Sequence, residues 1–189
     1  MDLNIRYLLA FQPDPALRAL LAAQQPRAGQ DARKLDPARL HLTLCTIAEC
    51  ETADPGLMAR VATALRDGLP ESPPIRLGRV HARAQGAEVV TRGRRAEVCA
   101  FYEAIAARLR RCGLSPMHRR SGLRPHVTLG YDRCQFEPFD LTAFWRPDEL
   151  LLIESHVGRR RHVVLLRLAL APPAQTSFAF DEPSLRLAA

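Results

Sequence analysis

The sequence has few lysines, few aromatic residues and no long apolar run. Lys34 is the only lysine among 189 residues with a formal net charge of +7, so nearly all the cationic side chains are arginine. No apolar stretch is long enough to cross a bilayer, which argues against a transmembrane helix. The N-terminal residues lack the basic start and small-residue cleavage site of a signal peptide. These absences predict a cytoplasmic protein without a membrane partner.

Several common chemical signatures are also missing. The five cysteines are odd in number and include no Cys-x-x-Cys pair, which favours free thiols over a disulfide framework. The histidines lack metal-ligand spacing such as His-Glu-x-x-His, and no glycine-rich phosphate loop or dinucleotide fingerprint occurs. We therefore expect neither a metal ion nor a cofactor.

The excess of arginine favours a polyanionic partner, because the guanidinium fork matches phosphate oxygens. A GC-rich genome also produces sequences rich in Arg, Ala, Leu and Pro. The charge therefore supports a nucleic-acid partner without deciding between these explanations.

The hydrophobic periodicity alternates between strand and helix along the chain. Asp14-Pro15 and Asp54-Pro55 predict the starts of helices running to 25 and 69, and a third helix is predicted over 96–114, capped at Gly113. Predicted strands cover 5–11, 39–47, 74–83, 87–93 and 126–131, followed by a hairpin that turns near Gly158. Hairpins mixed with helices predict an α+β fold in two roughly similar halves.

A four-residue pattern occurs once in each half. His41-Leu42-Thr43-Leu44 and His126-Val127-Thr128-Leu129 both read His, apolar, Thr, Leu. On a strand, the His and Thr of each copy share one face, while the apolar residues anchor the other face. If the two strands pair or face each other across a groove, two histidines and two threonines converge on one site.

This combination of side chains suits phosphoryl transfer. Displacement at phosphorus needs a base on one side and an acid on the other, and histidine can serve as either near neutral pH. Threonine hydroxyls can donate hydrogen bonds to non-bridging phosphate oxygens. A single His-x-Thr is more often a plain strand-face histidine, but two matching copies favour the catalytic interpretation.

The paired motifs resemble the two His-x-Thr signatures of the 2H phosphoesterase superfamily. Within it, the order of elements resembles that of the bacterial RNA 2′,3′-cyclic phosphodiesterases, also called 2′–5′ RNA ligases. The resemblance implies one domain over residues 1–171, with two pseudo-symmetric lobes of antiparallel sheet around a central cleft, and a C-terminal tail over 172–189. It implies His41, Thr43, His126 and Thr128 as catalytic residues, with His126 as base and His41 as acid. The implied reaction is metal-independent hydrolysis of a 2′,3′-cyclic phosphate to a 2′-phosphate, with reverse chemistry that would join 2′,3′-cyclic phosphate and 5′-hydroxyl ends through a 2′–5′ bond.

Five further residues are predicted to bind substrate. Arg124 and Tyr131 flank the second motif, where a guanidinium could hold phosphate and a ring could stack on a base, although packing in the core is the more common role for such a tyrosine. Arg159, Arg160 and Arg161 follow Gly158 and could hold an RNA backbone, although a solvated charge run explains them equally well. His156 and His162 are interpreted as surface or structural residues.

The expected partner is RNA with a 2′,3′-cyclic phosphate end, or a cyclic nucleotide, and the protein is expected to be a monomer. Two alternatives stay open. One is a non-catalytic RNA-binding module, which would not consume a cyclic phosphate. The other is a phosphodiesterase for another cyclic or 2′–5′ nucleotide.

Overall fold

The computed structural model of the chain describes residues 5–25, 33–84, 86–93, 96–117, 122–131, 135–159 and 161–172. The described residues form three α-helices: α1 (Pro15–Gln24), α2 (Leu57–Ala64) and α3 (Ala96–Arg111). Nine strands accompany them: β1 (Ile5–Phe11), β2 (Arg33–Lys34), β3 (Leu42–Cys50), β4 (Ile75–Arg83), β5 (Gly86–Thr91), β6 (His126–Tyr131), β7 (Phe139–Trp145), β8 (Glu149–His156) and β9 (Arg161–Ala169). The α+β class predicted from the sequence is confirmed.

All nine strands belong to one sheet, whose order is β7-β4-β5-β6-β3-β1-β8-β9, with β2 paired to β6. The order divides into two similar halves. In one, β1, α1 and β3 form a strand-helix-strand unit with antiparallel strands, and in the other β5, α3 and β6 do the same. The halves meet where β3 lies beside β6, through the single register pair Leu42 and Val127. The predicted two-half architecture is therefore present, but within one continuous sheet.

The start of α1 and the end of α3 follow the local sequence signals, whereas α2 begins at Leu57 with Gly56 as its N-cap and without a side-chain cap from Asp54. The Asp14 carboxylate accepts a hydrogen bond from the Leu17 N–H at 2.9 Å, with Pro15 in the first turn. At the end of α3, Gly113 has a φ of 74° and the Leu114 N–H donates to the Leu109 carbonyl. Helix α2 is shorter than predicted, because the chain leaves helical geometry after Ala64 and turns at Gly68, which has a φ of 81°.

The start of one predicted strand needs correction, and two observed strands were not predicted. β3 begins at Leu42 instead of residue 39, because Pro37–Arg39 form a 3₁₀ turn closed by the Asp36 carboxylate, which accepts from the Ala38 N–H. β7, which pairs with β4 at the sheet edge, is absent from the predicted strands, although its residues alternate between apolar and polar from Phe139 to Ala143. β2 is absent as well, because a two-residue strand is too short to show any periodicity.

The main core lies between the helices and one face of the sheet. Leu42, Leu44, Val127 and Leu129 belong to a buried cluster that includes side chains from all three helices. Aromatic contacts join the halves within this core: the Phe11 ring of β1 lies 5.3 Å from Phe101 of α3 and 6.1 Å from Trp145 of β7, between centroids. Because strand side chains alternate, the residues next to Leu42, Leu44, Val127 and Leu129 along β3 and β6 point to the opposite face, away from the helices.

Two sequence predictions fall at the limits of the described chain. No helix among the described residues is both long and apolar enough to cross a membrane. The predicted tail lies outside the described residues from position 173 onward, so its boundary stays a prediction.

Candidate active site

The two motifs come together on the face of the sheet opposite the helices. His41, Thr43, His126 and Thr128 all line one cavity of about 320 Å³. Continuing the antiparallel register from the Leu42–Val127 pair places His41 beside Thr128 and Thr43 beside His126. Diagonal neighbours on an antiparallel pair lie roughly 7–8 Å apart, a spacing that suits a phosphate-sized group between two imidazoles. We refer to this cavity as the cleft.

Both imidazoles are held in the same way. His41 Nδ1 lies 2.7 Å from the Arg39 carbonyl, and His126 Nδ1 lies 2.8 Å from the Arg124 carbonyl. A carbonyl can only accept, so each Nδ1 carries hydrogen and donates. Proton exchange therefore takes place at the Nε2 atom of each ring. An imidazole whose Nε2 is unprotonated can act as a base, and one whose Nε2 is protonated can act as an acid.

The surroundings of His41 favour its neutral form. Burial lowers the pKa of His41, and the positive charges of Arg39 and His126 lower it further, against the opposing hydrogen bond to the Arg39 carbonyl. The His162 ring packs edge-on against it, with centroids 5.2 Å apart. Burial, together with the charges of His41 and Arg39, lowers the pKa of His162 to about 4, so the His162 ring is neutral near pH 7.

The surroundings of His126 contain a carboxylate. The Glu88 Oε2 atom lies 3.8 Å from His126 Nε2, and the Glu88 side chain is almost fully buried on β5. Its other oxygen accepts a 2.6 Å hydrogen bond from Arg83 Nε and a further one from Arg124. Burial alone would raise the pKa of Glu88, but the hydrogen bond from Arg83 and the charges of His126 and Arg124 hold this pKa below its ordinary value. Glu88 is thus a counter-charge for a protonated His126.

The other predicted substrate residues take different positions. Arg124 lines the cleft, half-buried, with its guanidinium bound to Glu88. The Tyr131 side chain is exposed at the cleft rim, so the alternative that it packs in the core is wrong. Arg159 and Arg161 are exposed in and beside the β8–β9 turn and do not line the cleft, while Arg160 lies outside the described residues.

Three residues near the motifs were missed or assigned other roles. Glu88 reads as an ordinary polar position in a strand, and only the β5–β6 register, which pairs it with Thr128, places it beside the second motif. The sequence predicts Arg39 as part of a strand. It predicts His162 as a surface or structural residue, but the His162 ring lines the cleft and packs against His41. The closeness of Arg39 to His41 in the sequence was a usable signal, but the other two positions depend on long-range pairing.

No metal-binding cluster is visible in the part of the chain that the structure describes. There, no three His, Cys, Asp or Glu side chains are grouped closely enough to hold an ion. The described cysteines, Cys45, Cys50, Cys99 and Cys112, are free thiols, and burial raises the pKa of Cys45 to about 12. Cys45 lines the cleft, but a thiol with so high a pKa is a poor nucleophile.

Comparison with known proteins gives the fold but no sequence relative. No family model and no curated protein matches the chain. Among solved structures, E. coli LigT complexed with NADP+ superposes with a TM-score of 0.69 and 16% identity, covering 88% of this chain and 98% of LigT. The chain has the LigT fold.

Two other structures share the LigT fold. TT0787 of Thermus thermophilus has a TM-score of 0.71 and 18% identity, covering 89% of this chain and 99% of its own. The MHV ns2 PDE domain has a TM-score of 0.58 and 15% identity, covering 80% of this chain and 99% of its own. The LigT fold agrees with the resemblance to the 2H phosphoesterase superfamily that the paired motifs carry in the sequence.

Proposed function

We propose that the chain is a 2H phosphoesterase that hydrolyses a 2′,3′-cyclic phosphate at an RNA end or on a nucleotide to a 2′-phosphate, without a metal ion. The observation that carries the proposal is the single cleft lined by both His-x-Thr pairs. Each Nδ1 is engaged by a main-chain carbonyl, which leaves two Nε2 atoms for proton transfer.

The solved LigT structures support a nucleotide substrate. LigT has been crystallised with NADP+, with 3′-AMP, with ATP and with phosphate. Nucleotides and phosphate are the chemical parts of the substrate proposed for this chain, which has the same fold.

The proposed reaction uses one imidazole on each side of phosphorus. The basic Nε2 removes a proton from water, the water oxygen bonds to phosphorus, and the bond from phosphorus to O3′ breaks. The acidic Nε2 gives its proton to O3′, so the 2′-phosphate leaves with a free 3′-hydroxyl and the proton count balances. Thr43 and Thr128 donate hydrogen bonds to the non-bridging oxygens, where negative charge increases in the transition state.

The surroundings of the two histidines supply a reason for their roles. The family resemblance implies His126 as base and His41 as acid. However, burial and the Arg39 charge favour neutral His41, while Glu88 offers a counter-charge to protonated His126. We therefore propose His41 as the base and His126 as the acid, the reverse of the order that the resemblance implies.

The pH dependence should reflect the lowered pKa of His41. A base must be neutral, so a lowered pKa keeps it active to lower pH, and the acidic limb of kcat/KM should lie below about 6.5. Because the Arg39 charge contributes to that lowering, Arg39→Gln should move the acidic limb to higher pH. Arg111→Gln, an exposed arginine at the end of α3, serves as the charge-matched control and should leave the limb in place. An Arg39 variant with an unshifted acidic limb would contradict His41 as base.

The proposed activity can be tested directly. Purified protein is incubated in EDTA with 2′,3′-cyclic nucleotides and RNAs, and with other cyclic and 2′–5′ nucleotides, and the products are identified. We expect 2′-phosphates from the 2′,3′-cyclic substrates at undiminished rate. Loss of activity in EDTA that a divalent ion restores would contradict the two-histidine mechanism. Turnover of another cyclic or 2′–5′ phosphodiester alone would assign the cleft to that substrate.

The rival proposal is a non-catalytic RNA-binding module, which predicts binding without turnover. Both proposals expect binding to weaken with salt, because cationic side chains displace counterions from RNA phosphates. Turnover of a cyclic phosphate separates them. In 2′–5′ ligation a 5′-hydroxyl would attack phosphorus in place of water, with the same cleavage of the bond to O3′, but the high concentration of water favours hydrolysis. The cytoplasmic location and the monomeric state stay predictions.

The arginine run beside Gly158 gives a separate prediction about RNA length. If Arg159 and Arg161 contact RNA phosphates, replacing both with Gln should weaken binding of a long RNA more than that of a mononucleotide. The slope of log affinity against log salt should flatten by about 0.7 for each lost contact with single-stranded RNA. An unchanged slope in a salt titration would show that these arginines are solvated surface residues that do not contact RNA phosphates.

A further inference from the structure

A second cavity adjoins the cleft on the His41 side. It measures about 590 Å³, and four residues line both spaces: Arg6, Tyr131, Ser155 and His162. Because the two spaces share these walls, a ligand in the cleft can extend into the second cavity without crossing bulk protein. We call this space the Arg39 cavity, after the arginine that lines it beside His41.

The Arg39 cavity carries more positive charge than its own acidic side chain can balance. Its lining contains Arg6, Lys34 and Arg39, against one carboxylate, Asp36. That carboxylate accepts from the Ala38 N–H at 2.9 Å and caps the 3₁₀ turn. Arg6 is paired with Glu49 at the surface, so, among the residues that the structure describes in this lining, Lys34 and Arg39 are the cations left to meet a ligand.

Arg39 is the most informative of these residues. Its Nε atom is buried and has no hydrogen-bond partner among the residues that the structure describes. A buried donor without an acceptor is costly, and the cost rises when the group is charged. A phosphate in the Arg39 cavity would lie beside the guanidinium group and balance its charge.

The opposite side of the cleft offers a contrast. A cavity beyond His126 is also lined by two arginines, Arg83 and Arg124. Both already form ion pairs with the Glu88 carboxylate. Their hydrogen-bonding capacity is partly used, and their charge is partly neutralised, so the open cationic position lies on the Arg39 side.

We propose that the Arg39 cavity is a second phosphate subsite, which binds the phosphodiester linking the terminal nucleotide to its neighbour. The inference rests on the proposed function and narrows its substrate class to RNA ends of two or more nucleotides. A cyclic mononucleotide fills the cleft alone and leaves Arg39 and Lys34 without an anion.

The same chemistry could come from a 5′-phosphate on a mononucleotide, so the test uses four substrates. They are adenosine 2′,3′-cyclic phosphate, its 5′-phosphorylated form, the ApA dinucleotide ending in a 2′,3′-cyclic phosphate, and that dinucleotide with a neutral methylphosphonate linkage. For each protein, kcat/KM is divided by the value for adenosine 2′,3′-cyclic phosphate. This ratio cancels any effect of a variant on proton transfer at His41.

The wild type should favour the dinucleotide over the mononucleotide by about tenfold or more, because a charge-assisted hydrogen bond is gained. The methylphosphonate linkage should remove that advantage. Arg39→Gln should also remove it, and Lys34→Gln should reduce it by roughly threefold. Arg111→Gln, which removes an equal charge on α3, should keep the full ratio.

Binding supplies a readout that does not depend on turnover. Dissociation constants are measured for ApA carrying a 2′-phosphate and for its methylphosphonate analogue. We expect the charged linkage to bind about tenfold more tightly in wild type and equally in Arg39→Gln. Equal binding in wild type would overturn the subsite, even if the protein hydrolysed no cyclic phosphate at all. A 5′-phosphorylated mononucleotide that matched the dinucleotide would overturn the preference for RNA.

Discussion

His41→Ala and His126→Ala should each lower turnover of a 2′,3′-cyclic phosphate by about 10² to 10⁴. Each substitution removes one proton-transfer group from the cleft, and the remaining histidine cannot serve as acid and base in the same step. The effect should fall on kcat, because both groups act on the transition state. Single-turnover rates with saturating protein are the direct measurement.

The fold should survive both substitutions. The two imidazoles lie on the cleft face, while the apolar partners of each motif, Leu42 and Val127 among them, form the core on the helix side. Thermal unfolding should therefore shift little. His81→Ala is a matched control on β4, since His81 does not line the cleft, and it should keep turnover within about threefold. Near-wild-type turnover in both cleft variants would show that the paired motifs are not the catalytic groups.

A better leaving group should rescue His126→Ala and fail to rescue His41→Ala. In a cyclic phosphate whose 3′-oxygen is replaced by sulfur, the leaving group departs as a thiolate and needs little protonation. A variant that lacks the acid then loses little turnover, whereas a variant that lacks the base still cannot activate water. With this substrate we expect His126→Ala to come within about tenfold of wild type, and His41→Ala to stay lower by about 10² or more.

The same experiment decides between the two orders of roles. Rescue confined to His41→Ala would restore the order that the family resemblance implies and would overturn the argument from Arg39 and Glu88. Rescue of both variants would mean that each histidine can donate the proton. The pH profile of the sulfur substrate provides an internal check, because its basic limb, which reports the acid, should flatten in wild type.

Much of the local structure was readable from the sequence, since it depends on residues close together in the chain. The Asp14 cap, the Pro15 start of α1 and the Gly113 end of α3 all appeared as predicted, because each is set within one helical turn. The His-x-Thr pattern likewise predicted which side chains share a face, since alternation is a property of any strand. The two-residue β2 is too short to show a pattern, whereas β7 alternates apolar and polar residues from Phe139 to Ala143 and carried a readable signal that the predicted strands omit.

The sequence by itself predicted the four motif side chains of the proposed site, but only the tertiary structure decided what surrounds them. The pairing of Leu42 with Val127 brings together motifs that are more than eighty residues apart, and nothing local encodes that register. The placement of Glu88 beside His126, and of Arg39 and His162 beside His41, follows from the sheet order and the 3₁₀ turn. Charge and burial act over a few ångströms in space regardless of separation in sequence, so two nearly identical motifs acquire different electrostatic surroundings only when the chain folds.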